Sequence, residues 1–259
     1  MKSVALALCG VACWILAAAL GGATADRVEE AGRAVVRPFA LPFLWRSLDE
    51  SIRGGSPEEA FAKGRKLMHW LGGWADGYLW IAWRWVDQAS RAGGPQQALR
   101  DALTWLGQAR ARHPSVAVDL LVGCSWLVEM AARSDPGMVD LLASAGEGPA
   151  RSAEEISDGF LAEAEKEGAP AWVRERRLFL VPRLLAVMLD RGESAGALAL
   201  LDAAIERCSS IRDGDFAAEW RGVLRRLKGI VAGDRSADRA DLIADPRLSP
   251  LRDFLERGR

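Results

Sequence analysis

Histidine and tyrosine are almost missing from this chain: 259 residues contain His69, His113 and the single tyrosine Tyr78. Two imidazoles leave few candidates for a general base and too few ligands for a zinc site, so no metal is expected. His69 ends an apolar helical stretch beside Trp70, and His113 precedes Pro114 in a turn, which makes both structural or surface groups. Cysteine is scarce as well. Cys9 and Cys13 fall in an apolar run, leaving Cys124 and Cys208, and one pair is no disulfide framework, so the fold must stand on its core. Charge of one sign is not in excess: 34 Lys and Arg against 35 Asp and Glu give a net charge of −1, which gives no reason to expect a nucleic-acid partner. A glycine-rich phosphate loop is absent. The pairs 54–55, 72–73 and 93–94 read as single turns, and no cofactor is expected.

Half of the residues are apolar, which is enough material for a real core. The longest apolar run is Val4 to Leu20, after Met1, Lys2 and Ser3 and before small residues that end at Ala25. It reads as either a signal peptide cut after Ala23-Thr24-Ala25 or a retained membrane anchor, and its length favours the anchor. Residues 1–25 are assigned to that segment, 26–42 to a juxtamembrane connector, and 43–259 to a helical domain with a hinge at 144–151. Lys2 before the run and Arg27, Arg33 and Arg37 after it would place the domain in the cytoplasm on a strict charge count. Asp26, Glu29 and Glu30 dilute that flank, and the export-like start favours a location outside the cytoplasm, anchored or, after cleavage, periplasmic or secreted.

Helix signals recur along the rest and strand signals do not. Ser56-Pro57-Glu58-Glu59 supplies an N-cap, a proline at the first helical position and a glutamate at the third. Gly94-Pro95, Asp135-Pro136, Ala169-Pro170 and Ser249-Pro250 mark further starts, and Ser152-Ala153-Glu154-Glu155 is a capping box. Apolar residues at spacings of three and four predict helices over 43–54, 57–71, 77–92, 95–112, 115–133, 136–145, 152–167, 170–191, 195–211, 215–232 and 250–257. Pro57, Pro95, Pro136 and Pro170 are spaced by 38, 41 and 34 residues, the period of a two-helix repeat. The expected fold is all-α: an α-solenoid of stacked antiparallel hairpins behind one N-terminal apolar helix. Within it, Leu178 to Leu189 reads as a buried helix that Pro182 should kink.

Residues 43–83 also carry a likeness. Leu44-Trp45 and Asp49-Glu50, the turn Gly54-Gly55, Glu59-Ala60 opening the next helix, and Trp80-Ile81-Ala82-Trp83 in the third resemble tetratricopeptide-like repeat proteins, most of all short bacterial ones with an N-terminal membrane anchor. The resemblance extends over roughly residues 40–112. It implies an α-solenoid that holds a protein or peptide and carries no catalytic residues. In such solenoids the first helix of each hairpin lines the groove, so the candidates for binding are Arg46, Asp49 and Arg53, and Arg84, Asp87 and Arg91. An arginine there would clamp a partner's carboxylate; the other reading is a solvated face that keeps a Trp-rich helix soluble.

Trp70, Trp74, Trp80, Trp83 and Trp85 crowd into 16 residues. A helix that is apolar on nearly every side is expected to be central, with Trp70 or Trp74, beside Gly72-Gly73, the ones left exposed. The alternative is a stacking surface for a peptide, a glycan or lipid. Gly123-Cys124-Ser125-Trp126 has the residue types of a thiol-protease nucleophile in the wrong order, inside an apolar run where cysteine is inert packing. Arg174, Arg176 and Arg177, and Arg221, Arg225, Arg226 and Lys228, are basic clusters expected to pair with nearby acids or to face anionic lipid. The function read from these features is a membrane-associated interaction or assembly scaffold that is not an enzyme. The alternatives are an exported helical hydrolase with a carboxylate site and a Trp-based glycan or lipid binder.

Overall fold

A computed structural model describes residues 25–92, 95–135, 137, 152–234 and 239–257. The apolar run Val4 to Leu20, the helix expected over 136–145 and the hinge at 144–151 lie outside the described residues. The rest is helical, with no strand among the described residues, and each helix packs mainly on its neighbours in sequence. The chain divides into two compact units, one ending at residue 93 and one starting at 94.

The first unit holds α1 (Ala25–Gly54), α2 (Pro57–Leu71) and α3 (Ala75–Ala92). Helix α2 starts where the sequence predicts: Pro57 follows Ser56, whose hydroxyl accepts the Glu59 amide, and Glu58 and Glu59 place negative charge at the positive end of the helix. Helix α1 differs from expectation. The predicted connector over 26–42 is helical, and α1 runs from Ala25 through Pro38 and Pro42. A proline inside a helix normally reads as a break, because it removes one amide and crowds the carbonyl four residues back. Here both proline residues are exposed, so water can take the freed carbonyls. Arg37 further ties α1 to the end of α2 by donating to the Leu71 carbonyl at 2.9 Å.

Leu48, Phe61, Leu67, Met68, Tyr78, Ile81 and Trp85 form the core of this unit, and Phe61 stacks nearly parallel on Trp85 at 5.0 Å. Gly64 lets α2 and α3 approach closely: a Cβ there would stand 2.7 Å from Ile81 Cγ2. Gly64→Ala is therefore expected to lower stability by about 1–3 kcal/mol through overpacking. Gly107→Ala, where an added Cβ meets nothing within 4 Å, should raise it by roughly 0.5–1 kcal/mol through helix propensity. Thermal unfolding of the two variants checks the opposite signs.

The second unit holds α4 (Pro95–Arg112), α5 (Ala117–Ser134), α6 (Ala153–Lys166), α7 (Ala171–Asp190), α8 (Ser194–Arg207), α9 (Gly214–Val231), α10 (Ala240–Ala244) and α11 (Arg252–Arg257). The reciprocal capping box of Ser152 and Glu155 opens α6, and the Asp213 carboxylate accepts the Phe216 amide at the start of α9. Helix α7 runs unbroken through Pro182, which is buried with Leu178, Val181 and Leu185 as the apolar run predicts. Leu178, Leu185, Leu201 and Leu224 belong to one core cluster with Trp220, which is fully buried. Leu121, Leu161, Val173 and Leu184 form a second cluster between α5, α6 and α7. Among the described residues, the one helical stretch long and apolar enough to cross a membrane is Pro114–Ser134. Its 56% burial and its packing on α6 are those of a core helix.

Candidate functional site

Helix α3 decides which tryptophans are covered. Tyr78, Ile81, Ala82, Trp85, Val86 and Ala89 follow spacings of three and four and turn inward. Trp80 and Trp83 lie off that stripe, and Trp74 precedes the helix; all three are exposed. The expectation of a central helix buried on all sides is thus corrected. Trp85 is core, Trp74 is exposed as anticipated, and Trp80 and Trp83 face outward because the packing on α2 uses one side of α3 only. Trp45 of α1 meets Trp74 edge to face at 6.2 Å, and Phe39 and Phe43 extend the exposed aromatic residues along α1.

One cleft in this unit is lined by α1, α2 and α3: Leu48 and Ile52, Phe61, and Trp80, Arg84 and Gln88 among others. Its cavity volume is about 10 Å³, room for about one water, and the rest of the depression is open to solvent. Three polar atoms on one stretch of α3 are buried there without a hydrogen-bond partner: Arg84 Nε, Trp85 Nε1 and Gln88 Oε1. Native proteins rarely leave such atoms unpaired, so they are groups an incoming acceptor or donor, or water, would satisfy.

Five of the six sequence-derived candidates form ion pairs along their own helices. Arg84 lines the cleft. Arg46 pairs with Glu50 at 2.9 Å, Asp49 with Arg53 at 2.9 Å and Asp87 with Arg91 at 3.0 Å, each four residues apart along its own helix. Exposed pairs of this kind contribute little to stability and keep the helix surface solvated. His69 is exposed and His113 half-buried, and no group of three or more His, Cys, Asp or Glu is placed to hold a metal among the described residues.

Cys124 is buried in α5, where burial, with a smaller contribution from Glu163, pushes its thiol from near 9 up to about 12 against the pull of Arg110. A thiol held neutral is no nucleophile. Alkylation at pH 8 with peptide mapping is expected to leave Cys124 unlabelled in the native chain and to label it after unfolding. Because the folded state raises this pKa, the thiol's contribution to stability is intact below pH 9 and declines as the pH rises toward 12.

No protein-family model, curated protein or solved structure matches this chain. The tetratricopeptide likeness rests on the sequence over residues 40–112, and the architecture at hand is all-helical with helices packed in consecutive pairs.

In the second unit the basic cluster of α7 does pair with acids. Arg177 makes three hydrogen bonds of 2.7–2.8 Å, two to Asp158 and one to Glu165. Burial disfavours its charge, and those hydrogen bonds and charges outweigh the penalty and hold it protonated. Arg174 reaches Glu165 at 3.2 Å, and Arg176 reaches Glu129 on α5 at 2.6 Å. The sequence does not single out Glu129, because Arg176, Arg183 and Ser157, which meet it, lie in other helices and far along the chain. Its signal is an acid inside the apolar stretch of α5, four residues before Arg133.

Proposed function

We propose that this chain is a membrane-associated interaction scaffold that holds a protein or peptide against its helices and performs no catalysis. The observation that carries the reading is the α3 cleft, where Arg84, Trp85 and Gln88 present unpaired polar atoms beside apolar walls. A short peptide would lie across the mouth of the cleft, its apolar side chain on the exposed Trp80 and its carbonyl or carboxylate at the Arg84 guanidinium. The cleft lining carries one cation and no carboxylate, which favours binding over hydrolysis by paired acids. Packing in consecutive pairs and the repeat-like spacing of helix starts support a tetratricopeptide-like solenoid as the scaffold.

Membrane association is supported by the run Val4 to Leu20 and by the exposed Phe39, Phe43, Trp45 and Trp74, residue types that suit the lipid interface. The same side chains favour a second reading, a lipid- or glycan-binding module. Tryptophan emission during titration with vesicles or oligosaccharides separates the two.

The test is capture from the native host. Full-length chain with a C-terminal tag is crosslinked mildly after membrane fractionation, and co-purifying proteins are identified by mass spectrometry. A reproducible envelope partner in the membrane fraction, lost about tenfold or more with Arg84→Glu while circular dichroism is unchanged, is the expected result. A soluble chain cut after Ala25, with no partner, overturns the anchored scaffold.

A further inference from the structure

All four exposed large apolar side chains among the described residues of the second unit lie on two helices: Trp126 and Met130 on α5, Trp172 and Phe179 on α7. On α7 the sequence Trp172, Arg176, Phe179, Arg183 follows spacings of four, three and four, one helical face. On α5, Glu129 and Met130 lie three and four residues after Trp126 and four and three before Arg133, so these four also share a face. Arg176 joins the two faces. Its guanidinium carbon sits 4.1 Å from the Trp126 ring centroid while one nitrogen donates to Glu129 Oε1 at 2.6 Å.

The Glu129 carboxylate, with 11% of its side chain exposed, is shared among three arginines. Oε1 also accepts the Ser157 hydroxyl at 3.0 Å, and Ser157 in turn pairs with buried Ser125 at 2.6 Å, so the floor of this face is held in place. Oε2 is different. Arg133 from α5 and Arg183 from α7 approach it at 3.8 Å, and neither makes a hydrogen bond among the described residues. Three cations on one anion leave a local charge of +2 in a chain whose total is −1.

From this geometry we infer that the α5–α7 face binds a peptide segment in which an Asp or Glu stands next to a bulky apolar residue. The partner's carboxylate lies between Arg133 and Arg183, and its apolar side chain rests among Trp126, Trp172 and Phe179. Guanidinium forks suit a carboxylate, and the exposed Trp126, Met130, Trp172 and Phe179 stand on the same two helices as the arginines. Nucleic acid draws its affinity from many phosphates, and an anionic bilayer from a broad basic field; two available cations on a narrow face match a single carboxylate better.

This inference rests on the interaction reading above and names a second surface for it. Random peptides displayed on phage are selected against the full-length chain in detergent micelles, and enriched peptides are titrated by fluorescence anisotropy. The expected result is enrichment of Asp or Glu beside Trp, Phe or Leu, with affinity falling about tenfold or more in Arg133→Gln/Arg183→Gln and less in Arg183→Lys, which keeps the charge and loses the fork. Both arginines are substantially exposed, so circular dichroism should be unchanged in these variants. Enriched peptides without acids, or acidic peptides that bind the double variant equally well, overturn the inference. Enriched peptides sensitive to Arg84→Glu alone overturn this face and leave the scaffold reading standing; no enriched peptide at all sinks both. Phosphatidylglycerol vesicles or a single-stranded oligonucleotide bound in a manner abolished by the double variant, with no peptide bound, would assign the face to that partner and overturn the peptide.

Discussion

Trp220→Ala is expected to destabilise the second unit by about 3–5 kcal/mol, on the order of 10 °C in Tm for a unit of this size. Trp220 is fully buried in α9 among Leu178 and Val181 of α7, Leu201 and Ala204 of α8, and Leu248 and Leu251 near the C-terminus. Phe179 meets its ring edge-on at 5.5 Å, and the Arg247 guanidinium lies 5.1 Å from its centroid. Truncation removes the largest side chain of that core and leaves a cavity that helices on several sides cannot all close. Trp220→Phe should recover a good part of the loss. Calorimetry reads both variants; a Trp220→Ala chain melting within 2–3 °C of wild type, roughly 1 kcal/mol, would mean that the α7–α9 cluster is not the core of this unit.

The second large effect is electrostatic. Arg177→Ala should destabilise the same unit by about 2–4 kcal/mol, below the usual loss for a fully buried pair because its acidic partners retain some exposure. Arg177 keeps 13% of its side chain exposed and faces two carboxylates, a forked pair with Asp158 and a third bond to Glu165. Its removal leaves Asp158 with no cation in contact, whereas Glu165 retains Arg174 at 3.2 Å and Arg207 at 3.8 Å. Arg177→Lys should recover only part of the loss, because an ammonium cannot make the fork. A double-mutant cycle with Asp158→Asn isolates the pair: coupling near zero would show that these contacts are not made in solution.

The starts of α2, α4, α6 and α7 were legible because a helix start is a local event. Ser56 and Ser152 each accept an amide of the first turn, Pro57 and Pro95 open their helices without an amide to satisfy, and Pro170 immediately precedes α7, so nearest neighbours decide the outcome. Of α1, the expected helix over 43–54 is present and its extension back to Ala25 is not legible, since Pro38 and Pro42 carry a break signal that exposure and continuity of the helix override. The glycine pair 72–73 was read correctly as a turn, and the positive φ of Gly72 gives the reason: its backbone occupies a region that a side chain disfavours.

Side-chain exposure was another matter. In α3 both faces carry tryptophan, so apolar periodicity could not tell the inward Trp85 from the outward Trp80 and Trp83. The partners of the charged candidates are also a matter of side-chain placement. Arg46, Arg53 and Arg91 have acids four residues away along their own helices, and these nearer partners satisfy them; Arg84 has none and remains available in the cleft.

From residue order alone came the helical class, most helix boundaries, the scarcity of catalytic residue types and the apolar segment at Val4 to Leu20. Each depends on composition or on contacts within a turn or two of helix. Tertiary structure alone decided which faces are wet, that Pro114–Ser134 is packed in a core, and that Glu129 meets Arg176, 47 residues away, under Trp126. A periodic stripe says that a helix has a buried side. What lies across from it depends on how the chain returns, and that information is spread over every helix in between.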